Sequence, residues 1–96
     1  MERPGYRFTT FRNQQVVKAI VDGKLAEFKQ VDSAKLNKVE DRIIECEKQK
    51  ANLACIKIPE TMDFIEAAKV AKKINGLSFV KEIWIIHGEK IEIIKK

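Results

Sequence analysis

The chain has 96 residues, 45 % of them hydrophobic and 34 % charged, with a formal net charge of +5; that is one modest globular core under a charge-rich surface, which excludes a second domain and a disordered chain. Two cysteines and one histidine are too few for a four-ligand zinc site, and no apolar run approaches the ~18 residues of a membrane span or the core of a leader peptide. These absences set the expectations of no cofactor, no metal, no membrane and a cytoplasmic location, and the excess of lysine (15) over glutamine (4) and asparagine (4) suggests a heat-adapted source.

Residues 1–12 hold three of the four arginines and three of the seven aromatic residues: Arg3, Tyr6, Arg7, Phe8, Phe11 and Arg12. Guanidinium groups fork onto phosphates, and rings stack on bases or fill protein pockets, so the segment reads as an extended docking arm. It precedes one domain over residues 13–96. Phe8 and Phe11 have a second reading, as core residues of a first strand near Arg7 to Phe11.

Val16 to Val21 and Leu25 to Val31 flank Asp22-Gly23, a pair suited to a tight hairpin turn because both of its central positions need positive φ. The hairpin sets Val17 opposite Phe28, Lys18 opposite Glu27 and Ala19 opposite Ala26. A rival reading makes residues 14–21 a helix ended by Gly23. Ser33 then caps a helix from Ala34 to about Lys50, with Leu36, Val39, Ile43 and Cys46 on its inner face and Ile44 widening the stripe. Glu40, Asp41, Glu45 and Glu47 are interspersed with bases and read as a solvated surface.

Ala54 to Ile58 is a short strand closed by Pro59. Thr61 caps a second helix, Met62 to Ile74, with Phe64, Ala67, Ala68, Ala71 and Ile74 facing inward and Asn75-Gly76 as its stop. Lys69, Lys72 and Lys73 gather on its last turns, where the negative end of the helix dipole favours them and where they can also meet phosphates. Phe79 to His87 and Lys90 to Lys95 form the last hairpin about Gly88-Glu89. One of its faces, with Trp84, Ile86, Ile91 and Ile93, reads as core. The other leaves an island of Phe79, Ile83, Ile85 and Ile94 for another element or a partner to cover.

Together these elements make a single α+β domain in the order ββαβαββ, a mixed five-stranded sheet with two helices mainly on one face. Glycines 5, 23, 76 and 88 are scattered as turns and caps, His87 stands at a strand end, and both cysteines read as buried free thiols. The functional expectation is therefore a small non-catalytic binding or accessory subunit that contacts DNA or RNA, directly or within a nucleic-acid-processing complex. Arg3, Tyr6, Arg7, Phe8, Phe11, Arg12, Lys69, Lys72 and Lys73 are its candidate contacts. The alternative is a protein-interaction module that forms homo-oligomers or docks on a protein partner through Phe79, Ile83, Ile85 and Ile94.

Overall fold

The computed structural model describes residues 24–96 in full and the backbone alone of residues 6–11 and 16–21. Alternating apolar residues and β-branched runs give six strands, β1 (Tyr6–Phe11), β2 (Val16–Val21), β3 (Lys24–Gln30), β4 (Leu53–Lys57), β5 (Glu82–His87) and β6 (Lys90–Lys95). Two helices, α1 (Asn37–Lys48) and α2 (Phe64–Lys73), interrupt them after β3 and β4. The strands lie side by side in chain order, β1-β2-β3-β4-β5-β6. Pairs β3/β4 and β4/β5 are parallel and the other three are antiparallel.

The first hairpin keeps the expected register, with Val17 opposite Phe28, Lys18 opposite Glu27 and Ala19 opposite Ala26. Residues 16–21 are thus strand and not helix, while the turn at Asp22-Gly23 lies outside the described residues. Residues 6–11 pair with β2 as a further strand, so the sheet has six strands where five were expected.

α1 begins at Asn37, three residues later than the Ser33 cap requires. Lys38 N–H and Val39 N–H donate to the carbonyls of Lys35 and Leu36 at 3.1 and 3.0 Å. These tight-turn bonds satisfy the first donors, and Leu36 precedes the helix without a side-chain cap. α2 begins at Phe64, capped by Asp63 instead of Thr61: its Oδ1 accepts from Glu66 N–H at 2.9 Å. Beyond α2, Gly76 takes φ +80°.

Both helices cover one face of the sheet. Val39, Ile43 and Cys46 of α1 and Ala67, Ala68 and Ala71 of α2 close over Ala54, Ile56, Ile83, Ile85 and Ile94. The alanines let α2 approach the strands closely. This reverses the expected faces of the last hairpin. Ile83 and Ile85 are fully buried and Ile94 nearly so, whereas Ile91 and Ile93 are about half exposed. α2 covers the supposed island, because the crossover from β4 to β5 brings it over those positions. Phe79 stands outside the strand and is exposed.

Candidate functional site

Strand β3 carries Leu25, Glu27 and Lys29 at alternate positions, and a strand turns alternate residues to one face. The register of Glu27 with Ala54 and of Lys29 with Ile56 puts that face under α1. Glu27 is fully buried, and it and Glu82 are the only charged residues buried among those described.

The Lys29 ammonium lies 3.9 Å from Glu27 Oε1 and 3.6 Å from Glu45 Oε1, with its side chain 13 % exposed. Gln49, where α1 ends, donates from its amide nitrogen to the Glu27 carboxylate. Arg42 Nη1 donates to the other oxygen of Glu45 at 2.6 Å and Arg42 Nε to the Gln30 carbonyl at 3.2 Å. The result is a chain of alternating charge, Arg42, Glu45, Lys29, Glu27, held between α1 and β3 and closed by Gln49. On the other side of β3, Lys18 of β2 is the register partner of Glu27.

Cys46 of α1 borders this cluster. Burial, reinforced by the negative charge of Glu27, pushes its thiol up to about 12. Cys55 is likewise pushed up to about 12 by burial and then by Glu82. Both are free thiols, and neither is a thiolate nucleophile near neutral pH. Among the described residues no three histidine, cysteine or carboxylate side chains converge to hold a metal ion.

The cluster was legible in outline. Glu27 and Lys29 are two residues apart on a strand that the hairpin signal places correctly. Reading Glu27 only as the cross-strand partner of Lys18 hid it. Once β3 becomes an inner strand beneath α1, the same carboxylate is in the core. Glu47 departs similarly from a solvated helix face: its carboxylate accepts the N–H groups of Ser78, Phe79 and Val80 at 2.9, 2.9 and 3.0 Å. Those donors are thereby withdrawn from the ladder, and β5 starts at Glu82 instead of Phe79.

Among the residues expected to touch nucleic acid, Arg3 and Arg12 lie outside the described residues, as do the side chains of Tyr6, Arg7, Phe8 and Phe11. Lys69, Lys72 and Lys73 are exposed on α2. Lys69 faces Glu66 at 3.5 Å, and Lys72 faces Glu92 at 3.8 Å. They stand over β5 and β6, away from Glu27. His87 stacks on Phe64 with 5.5 Å between centroids, and its Nε2 lies 3.3 Å from the Glu60 carbonyl. A shallow cleft of about 380 Å³ opens where β3 and β4 end, lined among others by Asp32, Lys57 and Glu60. Its charged groups are exposed and do not converge. No helix of the described residues is long and apolar enough to cross a membrane. No protein-family model, curated protein or solved structure matches the chain.

Proposed function

We propose that the chain is a small non-catalytic binding or accessory subunit that contacts nucleic acid. Its basic balance carries this reading: the formal net charge is +5, and Lys69, Lys72 and Lys73 stand exposed together on α2. The Glu27–Lys29 contact is structural in this reading, because Glu27 is fully buried under α1 and held by Lys29 and Gln49, out of reach of a substrate.

Arg3, Arg7 and Arg12, with Lys69, Lys72 and Lys73, pair with phosphates. Tyr6, Phe8 and Phe11 stack on bases.

The test titrates heparin and single- and double-stranded RNA and DNA with the chain at low and high salt. We expect binding that weakens as salt rises, and a loss of about tenfold or more in K69E/K72E/K73E. Lys29→Met, which removes the ammonium beside the buried Glu27, should lose roughly 3 kcal/mol of stability in a urea titration. Cleavage of any polymer by the parent would overturn the non-catalytic reading. Failure to bind heparin or a random oligonucleotide at low salt would remove nucleic acid altogether.

A further inference from the structure

The sheet face opposite the helices is apolar at its centre and basic at its rim. Pairing places Leu53, Cys55, Trp84, Ile86, Ile91 and Ile93 on it. Leu53 and Cys55 of β4 are buried, with Phe28, Trp84 and Ile86 packed against them, but Ile91 is 50 % and Ile93 51 % exposed, and Trp84 and Ile86 are half-buried. Both described helices lie on the other face. Lys24 and Lys95 flank the apolar centre and reach Glu82 at 3.4 and 3.3 Å, with side chains 49 % and 75 % exposed. Lys57, in register with Ile86, is exposed as well. The Trp84 indole N–H donates to the remaining Glu82 oxygen at 2.6 Å. Glu82 is therefore fully engaged, and the three lysines leave the rim positive.

We propose that this face docks an acidic protein partner, which lays apolar side chains over Ile91, Ile93 and Trp84 and sets carboxylates against Lys57 and Lys95. An apolar patch ringed by like charge excludes most surfaces and selects one of opposite sign. A second copy would bring lysine rims together. Nucleic acid would meet Ile91 and Ile93, which carry no ring to stack on a base.

Trp84 is the only tryptophan and sits on the patch, so its fluorescence reports binding. The chain is titrated with a synthetic peptide of alternating glutamate and leucine, with its lysine counterpart, and with a random oligonucleotide. The acidic peptide should shift the emission saturably, and I91D/I93D should weaken it by about tenfold or more. Should the double variant fail to fold by circular dichroism, Lys95→Glu applies the same test through charge. No response to the acidic peptide, an equal response to the basic one, or an oligonucleotide that perturbs Trp84 would each overturn the proposal. So would a dimer in sedimentation that I93D dissolves. Peptide and oligonucleotide are titrated separately, so this inference and the nucleic-acid reading fail separately.

Discussion

Glu47 shows how one side chain can hold a loop. Desolvation raises its carboxyl, but the three N–H bonds from Val80, Phe79 and Ser78, with the charge of Lys81, outweigh that and leave it below the ordinary carboxylate range. A carboxyl lowered by folding adds stability above its unfolded pKa of about 4.3 and loses it as the pH falls through the folded value. Glu47→Gln should therefore be less stable than the parent at pH 7, by about 1 kcal/mol given partial exposure, and the gap should narrow as the pH falls below about 4.3. Urea titrations at pH 7 and pH 3.5 measure this, and a gap of the same size at the lower value would assign it to packing. Nothing near residue 47 in the sequence announces partners at residues 78–80. That contact links positions more than thirty residues apart, and local patterning carries no information about it.

At the scale of elements, patterning read the helices and the first hairpin well, because one face of each is buried and the period records which. Ends were less legible, since capping depends on which loop donor reaches which acceptor. The C-terminus of α1 is the clearest instance. Lys50 takes φ 62°, the left-handed conformation in which helices usually place glycine, and Ala51 N–H then donates to the Cys46 carbonyl at 3.1 Å. A residue with a Cβ costs roughly 1 kcal/mol there. Lys50→Gly should raise the melting temperature by about 4 °C, and Lys50→Val should lower it. Thermal unfolding followed by circular dichroism reads both. An unchanged midpoint for the glycine variant would show that the ammonium 6.0 Å above the Phe79 ring offsets the strain. The faces of the last hairpin were illegible for a different reason: both faces carry isoleucines, and only the position of α2 decides which is core.

For the whole molecule, the formal charge of +5 is the term that reaches beyond any pocket. Oligonucleotide affinity should fall linearly on logarithmic axes as salt rises, and Arg7→Ala should reduce the slope by about 0.7–0.9, the share of one phosphate contact. A slope near zero in the parent would mean that the basic residues serve another purpose. The strand order has a separate consequence. Each strand hydrogen-bonds to its neighbour in sequence, so none must be inserted between two already paired. The sheet can grow in one direction as the polypeptide is synthesised, each new strand finding its template already in place, with the isoleucine-bearing edge completed last.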